Sequence, residues 1–294
     1  NVTLKNRIIT GPMSIVELDP KGGYTEQGIA FYEGLAAGGA ALITLGESIV
    51  ASNNGMTHLQ QIRFDNPDVP FSLQSIADAV HAHDALISIE ISHGGAMADS
   101  IYNNGVQTMG PSGYVDEWGD TIREMTREDM EQIADAFADA VEICRDCGFD
   151  MAMIHCGHGW LLHQFISELT NHRTDRFGGS LENRTRILRE VVEAIRAACG
   201  RDFPLMFRIS LEEYIGREGY HADTGIQICQ MLASWGVDAI NVTASGTDSK
   251  LSQSVEPMYY PQGWRKHLPK AVKRTVPLPV VSVALIRDPA YGEK

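Results

Sequence analysis

Two histidines, His155 and His158, combine a residue type and a spacing that could do chemistry. They follow a short apolar run that begins at residue 151, and glycines flank the second one at Gly157 and Gly159. Residues three apart on an extended strand point to opposite faces, so the imidazoles converge only if the strand ends between them, as these glycines permit. Paired imidazoles at the end of a barrel strand could bind a substrate oxygen or a metal ion. The alternative is that both histidines form only structural hydrogen bonds in the loop.

Charged residues also occur inside predicted strands. Arg208 lies in the sequence FRIS, and Glu90 lies in ISIEIS. Burying an unpaired charge is very costly, so we expect Arg208 to form an ion pair, with Glu90 or Asp238 as the candidate partner. Glu47, at the end of another predicted strand, is similarly placed.

Strands and helices alternate along the chain. Short apolar runs bounded by turn residues predict strands at residues 8–10, 40–46, 85–92, from 151, 205–210, 239–244 and 280–284. Helical spacing of apolar residues predicts helices at residues 25–37, 72–83, 128–146, 181–198, from 223 or 224, and 264–273. The segment 96–123 has no clear period, so we expect a lid or a small hairpin there.

This alternation predicts an α/β fold with a parallel sheet. Units of nearly uniform size favour a (β/α)8 TIM barrel over a doubly wound sheet, and the sequence has no G-x-G-x-x-G turn. The last residues fall near the start of a seventh helix, and an unclosed barrel would expose two sheet edges. We therefore expect residues 1–294 to be the N-terminal domain of a longer protein, a barrel truncated before strand eight and incomplete at both ends.

Composition narrows the classes of partner. The formal net charge of −14 argues against nucleic acid and anionic membranes, which need clustered cationic groups. No signal peptide is visible, and no apolar run approaches the roughly 20 residues that span a bilayer. The 5 cysteines do not form a secreted disulfide framework, which favours a reduced, cytoplasmic setting. Cys144 and Cys147 form a C-x-x-C inside a predicted helix, where they are either ordinary helix residues or a redox or metal pair.

The stretch 151–184 resembles the old yellow enzyme family, the FMN-dependent NAD(P)H:flavin oxidoreductases. In that family the fourth strand ends in a pattern like H-x-A-H/N-G-Y-L-L-x-Q-F, followed by N-x-R-T-D-x-Y/F-G-G-S-x-E-N-R. The matching residues are His155, His158, Gly159, Leu161, Leu162, Gln164, Phe165, Asn171, Arg173, Thr174, Asp175, Phe177, Gly178, Gly179, Ser180, Glu182, Asn183 and Arg184. LKNRIITGPM, GVDAINVTASG and YYPQGW are also similar to the family, so the resemblance covers nearly the whole chain.

The resemblance implies where FMN contacts this chain. The loop after the first strand, here Pro12 and Met13, lies against the flavin, and Gly46 is expected to contact it as well. Arg208 faces the pyrimidine edge, where a fixed cation stabilises the reduced ring system. Ala284, in the loop after strand seven that would bind phosphate, stands where the family commonly has glycine, so the piece alone is expected to bind FMN poorly.

Glu90 stands where most family members have glutamine. Glutamine both donates and accepts hydrogen bonds, whereas ionised glutamate only accepts. Glu90 is therefore expected to pair with a flavin N–H, with Arg208, or with both.

Trp160 stands where the family usually has tyrosine, whose phenol gives a proton to the substrate carbon in its alkene reductases. An indole N–H donates a hydrogen bond but cannot release its proton near neutral pH. The candidates for another proton donor are His158, Tyr24, Tyr102, Tyr114 and water. We expect His93 and His163 to serve structure or capping.

The resemblance implies an oxidoreductase that passes hydride from NAD(P)H through FMN to an activated double bond of an α,β-unsaturated carbonyl compound. His155 and His158 would hold the carbonyl oxygen as an oxyanion hole does, beside Trp160. The branch that this chain most resembles, dienoyl-CoA reductase and the bile-acid-inducible oxidoreductases, continues into a 4Fe–4S cluster and an FAD domain. We expect a small-molecule substrate, a homo-oligomer as one option, and no metal at the histidines.

Three other functions stay open. A flavin-dependent amine dehydrogenase or demethylase would fit the loss of the tyrosine. A metal-dependent barrel hydrolase would use His93, His155 and His158 with Glu90 or Glu47. A non-catalytic remnant would explain Trp160, Ala284 and the missing eighth strand together.

Overall fold

The computed structural model describes residues 2–15, 17–116, 119–246, 256–283 and 285–293. Its strands are β1 (Leu42–Ile49), β2 (Ile62–Arg63), β3 (Leu86–Ser92), β4 (Met109–Gly110), β5 (Tyr114–Val115), β6 (Thr121–Glu124), β7 (Met151–Cys156), β8 (Leu205–Ser210), β9 (Ala239–Thr243) and β10 (Val280–Ser282). Seven of them form one sheet in the order β10-β9-β8-β7-β3-β1-β2, and every neighbouring pair is parallel.

The helices lie before, between and after these strands along the chain. They are α1 (Glu26–Ala37), α2 (Val69–His81), α3 (Arg127–Asp146), α4 (Leu161–Ile166), α5 (Leu181–Arg184), α6 (Arg186–Cys199), α7 (Ala222–Ser234), α8 (His267–Lys273) and α9 (Pro289–Gly292). The strands β1, β3, β7, β8, β9 and β10 are neighbours in chain order, which is the order of consecutive strands of a (β/α)8 barrel. The predicted fold class is confirmed.

The predicted first strand is present only as two single contacts with β1. Ile9 bridges Leu42, and Ser14 bridges Gly46, both in parallel register. Between them lie Gly11 and Pro12, and proline has no N–H to donate to a neighbouring strand. The segment therefore follows β1 without becoming a continuous strand.

Helix boundaries follow local capping chemistry. The side chain of Thr126 accepts a hydrogen bond from the backbone N–H of Asp129, and the Asp129 carboxylate accepts one from the backbone N–H of Thr126. This capping box begins α3 one residue before the predicted start. The helix predicted over 181–198 is instead divided into α5 and α6, with Thr185 between them.

The excursion predicted as a lid or hairpin forms a small three-stranded sheet in the order β4-β6-β5. The strands β5 and β6 are antiparallel, so the hairpin is confirmed. The Arg173 guanidinium donates hydrogen bonds to the carbonyl oxygens of Pro111 and Met125, at 2.9 and 2.8 Å. One residue of the 151–184 stretch therefore fixes this excursion against the barrel.

The apolar core has two parts. The larger part lies between the sheet and the helices and includes Phe137, Ile154 and Phe207, which are fully buried. The smaller part is formed by strand residues of the opposite face: Leu42, Met151, Met153, Met206 and Ala239. Alternation of strand side chains thus gives β7 and β8 one face toward the helices and one toward the barrel interior. No helix in the described part of the chain is long and apolar enough to cross a membrane.

Candidate active site

Three functional side chains share the interior face of adjacent strands. Glu90 on β3 lies in register with Met153 on β7, and His155, two residues further, lies in register with Arg208 on β8. Because residues two apart on a strand share a face, all three point the same way as Met153, which belongs to the interior cluster. The sheet register therefore brings together charges that are far apart in the sequence.

Glu90 is the centre of this group. Its Oε1 atom lies 2.8 Å from Nη1 of Arg208 and 2.5 Å from Nδ1 of His155. The predicted pairing of Arg208 with Glu90 is confirmed, whereas Asp238 pairs with Arg196 at 2.6 Å. Burial alone would raise the pKa of Glu90, but the His155 ring and the Arg208 guanidinium lower it to about 2.

The chain turns immediately after β7, as the two glycines predict. His158 and Gly159 have positive φ angles of 55° and 84°. A side chain on Gly157 would place its Cβ 2.8 Å from the hydroxyl oxygen of Ser210, so the close approach of the loop to β8 requires glycine there. The ring centroids of His155 and His158 lie 5.1 Å apart, and the predicted convergence is confirmed.

His158 is fixed by hydroxyl groups at the ends of β8 and β9. Its backbone N–H donates to Oγ of Ser210 at 3.1 Å, and its Nε2 lies 2.8 Å from Oγ1 of Thr243. Burial, and then the positive charge of Arg208, hold the pKa of His158 well below its usual value, so this imidazole is neutral. Ser210 and Thr243 were not predicted as site residues, although a hydroxyl residue ends both the FRIS and the NVT strand.

Trp160 is the N-cap residue of α4 and borders His155. Its ring centroid lies 5.7 Å from that of His155, with the two ring planes 74° apart. The indole therefore forms one wall beside His155. Of the tyrosines named as proton donors, Tyr24 packs edge-on against Tyr32, Tyr102 lies in a turn, and Tyr114 lies on β5.

His93 and His163 have the structural roles that the sequence predicts. Nδ1 of His93 accepts a hydrogen bond from the Gly95 N–H, and its Nε2 lies 2.9 Å from Oδ1 of Asn54. Nδ1 of His163 accepts from the Gly159 N–H. Among the residues that the structure describes, no group of three or more His, Cys, Asp or Glu side chains is arranged to hold a metal ion.

The opening loop meets the end of β1. The Tyr32 hydroxyl donates to the carbonyl oxygens of Met13 and Gly46, at 2.8 and 3.3 Å. A Cβ on Gly46 would lie 2.9 Å from Cβ of Pro12, so glycine allows this approach. The structure thus brings together three of the residues expected at the flavin, whereas Ala284 lies outside the described residues.

Two buried polar atoms on the interior face have no hydrogen-bond partner in the described part of the chain. They are Nε of Arg208, a donor, and Oδ1 of Asn241, an acceptor. These residues lie in register on β8 and β9. Unpaired buried polar groups are costly in a folded protein, so this pair indicates a ligand edge that both accepts and donates hydrogen bonds.

A parallel barrel with polar side chains at its strand ends, two convergent imidazoles and an interior arginine is typical of a class of cofactor-dependent barrel enzymes. The sequence model of the NADH:flavin oxidoreductase / NADH oxidase family matches residues 1–293. The chain belongs to that family of oxidoreductases.

Individual relatives agree with this assignment. The chain is 34% identical over 295 residues to an NADH oxidase of Thermoanaerobacter brockii, covering 100% of this chain and 45% of the relative. It is 32% identical over 306 residues to a cinnamate reductase of Clostridium sporogenes, covering 97% and 46%. The solved structure of histamine dehydrogenase from Rhizobium sp. 4-9 superposes with a TM-score of 0.86 at 26% identity, covering 98% and 42%. The chain thus spans about half the length of these relatives.

Proposed function

We propose that this chain is the FMN-binding barrel of an enzyme that passes hydride from NAD(P)H to the activated double bond of an α,β-unsaturated carbonyl compound. The observation that carries the proposal is the buried group of Glu90, His155 and Arg208 beside a second imidazole. FMN, when bound, supplies the hydride chemistry. Membership of the flavin oxidoreductase family and similarity to a cinnamate reductase support this function.

The residues at the strand ends fit a flavin. The unpaired Nε–H of Arg208 and the Oδ1 of Asn241 suit a pyrimidine edge, which carries both carbonyl oxygens and an N–H. The positive charge of Arg208 would stabilise negative charge on that edge. Pro12 and the main chain at Met13 and Gly46 would border the flavin ring system. We also propose that the phosphate of FMN binds near Ala284.

The two imidazoles would bind the substrate oxygen. The ring centroids of His155 and His158 lie 5.1 Å apart. Glu90 on β3 holds the His155 ring, and Thr243 on β9 holds the His158 ring. Donors fixed before substrate arrives need no reorganisation when negative charge develops on that oxygen. Trp160 would close one side and exclude water. The function of His158 is then to orient the substrate, because its imidazole is neutral.

The setting of the enzyme is also a proposal. We propose one domain over 1–294 within a longer, cytoplasmic, homo-oligomeric protein whose remaining length carries a 4Fe–4S cluster and FAD. All five cysteines are free and buried, which fits a reducing compartment. Burial raises the pKa of Cys144 well above its usual value, so the C-x-x-C thiols are better explained as core residues than as a redox pair.

One specific observation favours a second function. Histamine dehydrogenase resembles the chain in fold and sequence, and an amine dehydrogenase needs no proton donor at Trp160. A metal-dependent hydrolase is disfavoured, because His93 bonds Asn54 and Gly95 while His155 bonds Glu90, so their ring nitrogens do not share a ligand position.

The test is to purify the full-length protein anaerobically, release its cofactor by heat, and identify it by absorbance and mass. We expect FMN, and we expect turnover of cinnamate or an enone but not of histamine. Arg208→Met should lose FMN, whereas Arg145→Met, which removes a surface arginine, should retain it. Absence of flavin from folded wild-type protein contradicts the proposal and supports the non-catalytic alternative, and turnover of the amine alone supports the second function.

A further inference from the structure

We propose that Glu90 holds His155 as a doubly protonated imidazolium, and that this imidazolium is the acid that protonates the substrate oxygen. The inference rests on the proposed reduction of an unsaturated carbonyl compound. It names the proton source that Trp160 cannot provide. Glu90 acts through His155 and is therefore a positioning residue.

Both ring nitrogens of His155 face oxygen atoms that carry no proton. Nδ1 lies 2.5 Å from Oε1 of Glu90, and Nε2 lies 3.1 Å from the carbonyl oxygen of Gly157. A neutral imidazole has one N–H, so one of these contacts would bring two lone pairs together. Only the imidazolium donates to both oxygens at once. The geometry of the ring therefore assigns two protons to it, provided that Glu90 is ionised.

Arg208 keeps Glu90 ionised. The carboxylate is buried, and its Oε1 receives the guanidinium as well as the imidazole. Two cations around one carboxylate leave one net positive charge on the interior face. A glutamine at this position beside a neutral His155 would leave the same net charge, from Arg208 alone. The extra negative charge of Glu90 is therefore balanced by the extra proton on His155.

The other titratable groups near His155 do not supply that proton. His158 bonds Thr243 and is neutral, and His163 accepts from a backbone N–H and is neutral as well. Arg265 is a cation whose charge acts on His158, and it would repel a proton rather than provide one. The carboxylate that touches the ring is Glu90 alone among the described residues.

The proton transfer is balanced in electrons and atoms. FMN, which Arg208 and Asn241 would hold, would supply hydride to the far carbon of the double bond when bound, and negative charge would develop on the carbonyl oxygen. The Nε2–H bond of His155 breaks, its proton forms the O–H bond of an enol, and the ring becomes neutral. The enol then takes up a solvent proton at the near carbon and releases its O–H proton, which gives the saturated carbonyl product, and one further solvent proton restores the imidazolium of His155. The substrate oxygen replaces the Gly157 carbonyl as the acceptor of Nε2–H.

The protonation state is testable without turnover. In histidine labelled with nitrogen-15, imidazolium and neutral rings give different nitrogen resonances, and loss of a signal in His155→Gln assigns the residue. At pH 7.5 we expect wild-type His155 to be doubly protonated, and Glu90→Gln to lower the ratio of charged to neutral ring at least tenfold. Glu33→Gln, which alters the surface pair of Glu33 with His83, should leave the His155 signals unchanged. A neutral His155 in the wild type, or no change in Glu90→Gln, overturns the proposal.

Kinetics tests the role of the acid. The turnover of Glu90→Gln, measured on enzyme with confirmed FMN content, should fall at least tenfold between pH 6 and pH 8, whereas wild-type turnover should change less than threefold. Glu90→Asp, which restores the charge, should recover most of the activity at pH 8. Equal pH profiles for wild type and Glu90→Gln overturn the acid role. Failure to find FMN or alkene reduction would instead contradict the proposed function, and the nitrogen resonances would still report on the charge of His155.

Discussion

Two buried histidines of one loop region, His155 and His163, have opposite partners. His155 faces a carboxylate and a carbonyl oxygen, both of which only accept hydrogen bonds. His163 accepts from the Gly159 N–H at Nδ1, and its Nε2 lies 3.0 Å from the hydroxyl oxygen of Tyr220. The Tyr220 hydroxyl donates to the Ser210 carbonyl, so it is free to accept from Nε2–H. His163 therefore has one N–H and is neutral.

The difference shows that burial does not by itself decide the charge of a histidine. Burial lowers the pKa of His163 to about 3, and the positive charge of His155 acts in the same direction. The nearest oxygen of Glu213 lies 3.6 Å from Nε2, beyond a normal hydrogen bond. At His155 a carboxylate lies in direct contact. The contacts of His163 thus fit a neutral ring, and those of His155 fit the imidazolium that we propose.

The largest expected effect comes from removing the cation opposite His155. Arg208→Leu leaves Glu90 with one partner in a buried site, and breaking a buried ion pair costs about 3–5 kcal/mol. We expect the free energy of unfolding in urea to fall by that amount and the protein to lose FMN. The double variant Glu90→Leu/Arg208→Leu should recover part of the stability, because it buries no unpaired charge. A single variant within about 1 kcal/mol of wild type, an ordinary surface effect, would contradict the ion-pair account.

A smaller expected effect is the contribution of His163 to the pH dependence of stability. The folded-state pKa of His163 is lowered, so the folded protein takes up no proton there while the unfolded chain does below about pH 6.5. Its contribution to stability is complete above that pH and is lost as the pH falls. Between pH 6.5 and 4.5, His163→Gln should therefore lose stability less steeply than wild type, by about 1.4 kcal/mol per pH unit.

One control variant sharpens this test. Tyr220→Phe removes a hydroxyl but keeps His163 neutral, so it should lower stability by about 1–3 kcal/mol at every pH without changing the slope. Urea unfolding at a series of pH values measures all three proteins. A His163→Gln curve parallel to wild type would show that His163 is charged in the fold.

Sequence patterns predicted most of the fold, because helices and buried strands have distinct periods. Two misses have local causes. The first strand is reduced to two single bridges with β1, because Gly11 and Pro12 lie between them and proline has no N–H to donate. The helix α4 was not predicted, because all six of its residues are buried and it therefore lacks an amphipathic pattern.

The site was predictable only in part. The cost of a buried charge correctly predicted the pairing of Arg208 with Glu90. The contact of Glu90 with His155 depends on the register of β3 against β7, which places Glu90 beside Met153. Register follows from three-dimensional packing, and a shift by one residue would turn one of the two side chains to the other face. A single sequence does not contain that information in a readable form.

The smallest expected effect concerns Trp160, which lies against His155 at 5.7 Å between ring centroids. If His155 is the acid, a second acid at this position adds little, so Trp160→Tyr should change turnover of the proposed unsaturated carbonyl substrate less than threefold at pH 7. A positioned general acid contributes about 10²–10⁴-fold, so a gain of that size would show that the wild-type site lacks one and that His155 only binds the oxygen. Combining Trp160→Tyr with Glu90→Gln sharpens the test. The tyrosine should then restore activity that the single Glu90→Gln variant loses at high pH, because its phenol replaces a proton source rather than a binding contact.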